Sequence, residues 1–173
     1  DSKWITGKYS RMIGHYLRSK NDCILVGRGT VEKDNPSLDC RLSGLDHTSP
    51  DIFILDTNLN LSLSSRVFKL KNRKIFIFHN CFKFNKKKYK NVRLIRIKDN
   101  PGILDIKKAI KLISTKGYHR ILVEGGSKIS TSLLKNDLID KIYWFRASKV
   151  IGNEGIGAIS NLNIKKMNLV KNF

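Results

Sequence analysis

Cysteine is scarce in this 173-residue chain: Cys23, Cys40 and Cys81 are odd in number and widely spaced, with no Cys-x-x-Cys pair. That excludes a disulfide framework and a structural zinc site, and it implies a reducing, cytoplasmic setting. Histidine is also thin. His15, His47, His79 and His119 never stand at ligand spacing with cysteines or carboxylates, so no metal is expected. No apolar run approaches the roughly 18 residues a spanning helix needs, so no membrane partner is expected either. A Walker loop and a Gly-x-Ser-x-Gly elbow are both missing, which removes P-loop phosphoryl transfer and triad hydrolysis. The Gly-x-Gly at Gly27-Arg28-Gly29 does not complete a dinucleotide fingerprint, because Glu32 takes the third glycine position. The chain opens on Asp1-Ser2-Lys3-Trp4 without an initiator methionine and is expected to be a piece cut from a longer one.

Acidic residues are the minority among the charges: 14 Asp plus Glu stand against 34 Lys plus Arg, a formal net charge of +20. Such an excess suits a polyanionic partner, or a lysine-rich solvated surface. The densest basic run, residues 83–90 with Phe82, Phe84 and Tyr89 interleaved, has the look of a single-strand binding platform. A basic nucleic-acid-binding module is therefore the alternative reading. Elsewhere the basic residues are dispersed, so no nucleic acid is expected and the run is placed on a surface loop.

What is present is an alternation of strands and helices in one domain. Thr6 can cap a helix with Ile13, Tyr16 and Leu17 at helical spacing, on which Arg11 and Arg18 share a face. Continuous apolar strands are expected over 23–26, 51–56, 73–78, 92–97 and 121–123. A glycine turn at 27–30, one helical turn at 31–34 and an extended stretch at 38–41 separate the first two. Residues 59–66 read as irregular. Leu104, Ile106, Ala109, Ile110 and Ile113 give the clearest amphipathic helix, ending at Gly117. A further long strand is expected over 139–147, centred on Tyr143, Trp144 and Phe145. The pattern predicts a layered α/β sheet.

The chemistry concentrates at residues 121–130. An apolar strand stops at Glu124, turns through Gly125-Gly126 and restarts with helical spacing at Ile129, Leu133 and Leu134. Glycines let an anion approach backbone N–H groups without Cβ interference, and the positive end of the following helix favours negative charge. A carboxylate beside that cradle would repel phosphate, so Glu124 should face N–H or O–H donors. With the arginines, this suits a phosphorylated cofactor and a polar, phosphorylated substrate.

The motifs occur in a telling order. Ser2-Lys3-Trp4-Ile5-Thr6, Ile24-Leu25-Val26-Gly27-Arg28-Gly29-Thr30-Val31, Asp34-Asn35-Pro36-Ser37-Leu38 with Arg41, Leu55-Asp56, Leu122-Val123-Glu124-Gly125-Gly126 and Ile151-Gly152 closely resemble one family. It is the reductase domain of the bifunctional riboflavin-biosynthesis deaminase/reductase, and the resemblance covers essentially the whole chain. It implies a three-layer dihydrofolate-reductase-like α/β fold, with a mixed, mainly parallel sheet and helices on both faces. It also implies NADPH-dependent reduction of 5-amino-6-(5-phosphoribosylamino)uracil to the ribitylamino compound, and a homodimer. A related reductase of another pyrimidine or pterin is a third reading.

Site residues carry over position by position. Trp4, Thr30, Asp34, Thr57 and the segment Gly126, Ser127, Lys128, Ile129, Ser130, Thr131 and Ser132 match the family's cofactor contacts. Ser2, Arg18, Leu38, Arg41 and Glu124 match its substrate contacts, with Arg18 and Arg41 suited to the ribose phosphate and Glu124 to the pyrimidine. No catalytic side chain is assigned, since hydride comes from the cofactor. Thr57 stands where the family often has Ser. The family's upstream Ser-Leu-Asp-Gly strand, its closing strands and its zinc deaminase domain are absent from this sequence, so unpaired apolar sheet edges are expected.

Overall fold

A computed structural model describes residues 6–70, 72–82, 92–100, 102–150, 152 and 155–165. Five strands, β1 (Cys23–Gly27), β2 (Asp51–Leu55), β3 (Ile75–His79), β4 (Arg93–Arg96) and β5 (Ile121–Val123), form one sheet in the order β4-β3-β2-β1-β5. Every pairing is parallel. Leu25 lies opposite both Phe53 and Val123, which places the carboxyl ends of β1 and β5 side by side.

The inner strands β1, β2 and β3 are nearly continuous apolar runs because both faces of the sheet are covered. Leu25, Phe53, Phe76 and Phe78 pack on one face with Ile106, Ala109 and Ile113 of α3 (Ile106–Ser114) and Ile129 and Leu133 of α4 (Ser127–Lys135). Ile24, Val26, Ile52, Ile54 and Ile77 pack on the other with Val31 of α2 (Arg28–Asp34), with Leu38 and Leu61 from the loops and with Val67 of the 3-10 turn Arg66–Lys69. Phe53 stacks on Phe76 with ring centroids 4.5 Å apart, and Tyr118 meets both edge-on. Helix α1 (Lys8–Lys20) buries only Leu17.

Several expectations are corrected. Thr6 does not cap α1: Gly7 is the N-cap, without a side-chain bond, while the Thr6 carbonyl accepts from Arg11 Nη1 at 2.6 Å. Residues 27–30 are not a free glycine turn, because α2 starts at Arg28 directly behind β1. Helix α3 begins two residues later than its apolar spacing suggests, since the Asp105 carboxylate caps it by accepting from the N–H groups of Lys107 and Lys108. The 38–41 stretch is not extended throughout, because Leu38 adopts a left-handed φ of 54°. Residues 139–147 form no strand: Tyr143, Trp144 and Phe145 are exposed and no described strand pairs with them. The sheet is consequently parallel throughout among the described residues, with β4 and β5 as its edges, instead of mixed. The basic run at 83–90 lies outside the described residues.

Asp22 ties the start of β1 to that of β5. Its carboxylate accepts from the N–H groups of His119 and Arg120 at 2.9 and 2.8 Å and from Arg120 Nη2 at 2.8 Å. Partial burial pushes its pKa up, but the bonds from Arg120 and His119 outweigh this and hold it below the ordinary carboxylate value. A depressed folded-state pKa means the contribution is complete above the unfolded value near 4 and is lost as pH falls through the folded one. Asp22→Asn should cost about 1–2 kcal/mol at neutral pH, roughly 3–6 °C in Tm. The gap to wild type should close below about pH 3; thermal melts from pH 2 to 7 check this, and a pH-independent gap contradicts it.

Candidate functional site

The Gly125-Gly126 turn is built against the end of the neighbouring strand. The Glu124 N–H still donates to Leu25 O at 3.2 Å, and Gly125 and Gly126 then take φ of 73° and 84°. A Cβ on Gly125 would lie 3.1 Å from Thr30 Oγ1 and 3.4 Å from its Cγ2. A Cβ on Gly27 would meet Ile129 Cδ1 at 3.0 Å. The two glycine motifs, about a hundred residues apart in sequence, therefore interlock, with α2 docked on the turn and α4 docked on the end of β1. Gly126 caps α4 with no side chain, so the first N–H groups of that helix face the turn. The exposed Gly125-Gly126 turn at the N-terminus of α4 fits the phosphates of a dinucleotide cofactor.

Within the expected cofactor segment the side chains divide. Ile129 and Thr131 are buried. The Thr131 hydroxyl donates to Ser127 O at 2.6 Å and accepts from the Ser160 N–H at 2.7 Å, so it anchors the 155–165 stretch on α4. Ser127, Ser130 and Ser132 are partly exposed and Lys128 is exposed. Lys128, Ser132 and Lys135 line an open groove of about 340 Å³ with Ser160 and Asn161. Thr30 sits on the first turn of α2, Asp34 is its exposed last residue, and Thr57 is half-buried just beyond β2. The Thr57 carbonyl accepts from the Asn80 N–H at 2.9 Å. Trp4 and Ser2 lie outside the described residues.

Among the residues expected to contact substrate, Arg18 and Glu124, 106 residues apart, form a bidentate pair. Arg18 Nε reaches Oε1 and Nη2 reaches Oε2, both at 2.7 Å, with side chains 17% and 25% exposed. Arg18 Nη1 donates to Asp39 O at 3.0 Å. Burial alone would lower the Arg18 pKa, but the hydrogen bonds and charge of Glu124 raise it above the ordinary value. The guanidinium is thus committed to a protein carboxylate and a carbonyl, whereas Arg41 remains exposed, with Nε 3.4 Å from Asp39 Oδ1. Leu38 is buried beneath them. His15 Nδ1 lies 3.0 Å from Asp39 O and 3.3 Å from the Arg41 N–H; burial lowers its pKa.

Arg18, Leu38, Arg41 and Glu124 therefore gather around one segment, and the Thr30–Gly126 cradle adjoins them through Glu124. Arg73, His15 and Asp39 belong to this cluster, yet nothing in their sequence context marked them. Among the described residues no three His, Cys, Asp or Glu side chains gather as a metal site requires, and no helix is long and apolar enough to cross a membrane.

Comparison with known proteins gives a consistent set. Residues 1–172 match the RibD C-terminal domain family. The riboflavin biosynthesis protein RibD of Aquifex aeolicus is 33% identical over 168 residues, covering 96% of this chain and 45% of that protein. The 5-amino-6-(5-phosphoribosylamino)uracil reductase of Buchnera aphidicola is 31% identical over 166 residues, covering 89% of this chain and 79% of that one. The fold matches the structure of Acinetobacter baumannii RibD with a TM-score of 0.81 at 21% identity, over 98% of this chain and 46% of that one. The chain thus spans less than half the length of the Aquifex relative.

Proposed function

Since this chain belongs to the RibD C-terminal domain family, we propose that it acts as a reductase of riboflavin biosynthesis, converting 5-amino-6-(5-phosphoribosylamino)uracil to its ribitylamino counterpart with NADPH. The observation that carries this reading is the sequence of three residues at the end of β5: a carboxylate clamped by Arg18, followed at once by a turn that excludes Cβ atoms. One residue step separates a donor-seeking anion from an anion-seeking cradle.

Bound NADPH would supply the hydride for reduction at the ribosyl C1, and solvent water would supply the proton that the imine nitrogen needs to become an amine. The chain's own residues bind and orient. Gly125, Gly126 and the first turn of α4 admit the cofactor phosphates, with the Ser127 and Ser130 hydroxyls beside them and Thr30 buttressing the turn. Glu124 accepts from the pyrimidine N–H and amino groups on the lone pairs that Arg18 leaves open, and Arg18 holds that carboxylate in one orientation. Exposed Arg41 takes the ribose phosphate, a ligand its planar fork suits. Orientation of two bound molecules is the catalytic device, since a near-attack geometry is worth several kcal/mol of barrier.

Mixing the protein with NADPH and the ribosylaminouracil phosphate should deplete the reduced-nicotinamide absorbance in proportion to substrate. NADPH that stays intact over a range of substrate concentrations sinks the proposal.

A further inference from the structure

We infer that Arg73 is a positioning residue for the substrate half of this site, holding the 37–41 segment in place without touching a ligand. The inference rests on the reductase reading above.

Residues 37–41 belong to no helix or strand, so their backbone polar groups need partners from elsewhere. They find them one after another. Arg73 Nη1 donates to Ser37 O at 2.9 Å and Nη2 to Leu38 O at 2.8 Å, while its Nε donates to Pro50 O at 2.6 Å. Arg18 takes Asp39 O, the Cys40 N–H donates to Ser49 Oγ at 2.9 Å, and the Arg41 N–H donates to His15 Nδ1. Four side chains from three separate parts of the chain, two of them on α1, thus fix five consecutive residues, and Arg73 supplies two of the anchors.

The anchored segment carries the substrate candidates. Leu38 is held at a positive φ with its side chain in the core, a conformation an L residue adopts only when its surroundings impose it. Arg73 fixes the carbonyls on either side of that strained residue. The next carbonyl, Asp39 O, shares Arg18 with Glu124, so a shift of the segment passes to the carboxylate through one guanidinium. Arg41 follows two residues later. The hydrogen-bond partners of Arg73 are carbonyls, and burial without a bonded carboxylate lowers its pKa to about 10. Three in-plane donors from one rigid fork make this geometry specific to arginine; a lysine ammonium is a compact point donor on a flexible stem. The cofactor cradle is assembled by Thr30, Gly125 and Ile129 and shares none of these bonds.

Arg73→Lys in the 173-residue chain is the test. At saturating NADPH the KM for the ribosylaminouracil phosphate should rise roughly tenfold, with kcat within about twofold and the NADPH Kd, from fluorescence titration, within about twofold. An unchanged KM overturns the inference, and so does equal weakening of both ligands, which would mark a general loss of structure. Should Arg73→Lys fail to fold, Ser49→Ala replaces it. That variant removes the Cys40 anchor on the same segment and should raise KM several-fold; no change overturns the inference, because a segment whose placement is irrelevant cannot give Arg73 its role. Absence of turnover by the wild-type chain overturns the reductase reading itself and takes the inference with it, an outcome distinct from wild-type turnover with an insensitive variant.

Discussion

Glu124→Gln is expected to lower kcat/KM for the ribosylaminouracil phosphate by about a hundredfold while leaving NADPH affinity within roughly twofold. Two losses combine. The amide replaces one carboxylate oxygen with an NH2 group, so one of the two 2.7 Å contacts from Arg18 becomes donor against donor. Arg18, only 17% exposed, then loses its hydrogen-bonded carboxylate and keeps only the more distant charge of Asp39, a loss of about 1–3 kcal/mol at partial burial. The substrate in turn loses an anionic acceptor for its N–H groups, a class of contact whose removal is costly because the partner stays desolvated. The cofactor cradle is spared, since the backbone bond from Glu124 to Leu25 does not depend on the side chain.

Arg18 gives the companion measurement. If it acts by orienting Glu124, then Arg18→Met and Glu124→Gln are non-additive, and the double variant is little worse than the poorer single one. Additive losses would mean that Arg18 contacts substrate by itself. Equal weakening of substrate and NADPH in Glu124→Gln would contradict the division of labour at residues 124–126.

The sheet was legible in the sequence because strands buried on both faces need unbroken apolar runs, and β1, β2, β3 and β5 consist of little else. The Gly125-Gly126 turn was legible for a related reason: two glycines between a strand and a helix mark backbone that L residues avoid. Failures came where a partner decides the structure. Tyr143, Trp144 and Phe145 have strand character, but a strand exists only with a ladder, and Trp144 is instead 63% exposed. Leu38 at positive φ runs against its own propensity and is held by Arg73, whose position reads simply as the start of β3. The Arg18–Glu124 pair joins helix α1 to the end of β5, and no local pattern records a contact across that separation. Local motifs could therefore be read from the sequence, while the long-range bonds that organise them could not.

The cradle yields the second large effect. Gly125→Ala should weaken NADPH binding by roughly 10- to 100-fold, the two contributions being backbone strain and a steric clash. An alanine at φ 73° costs about 1–2 kcal/mol, and that cost alone can reopen the turn. Its Cβ would also stand 3.1 Å from Thr30 Oγ1 and 3.4 Å from Thr30 Cγ2, closer than ordinary contact, so either α2 or the turn must move. Thr30→Ala separates the two. It deletes both clashing atoms and leaves only the Thr30 Cβ, 3.9 Å from the new methyl. Measured against Thr30→Ala as the parent, the added Gly125→Ala should therefore cost several-fold less NADPH affinity than it does in wild type. The strain part remains because no change at position 30 alters φ at position 125. Titrations of the four proteins decide between outcomes: an undisturbed Kd in Gly125→Ala removes the turn from the cofactor site, and a full, unrelieved loss in the double variant shows that Thr30 does not shape it. Relief that is partial identifies Thr30 as the wall against which the phosphate-binding turn is set.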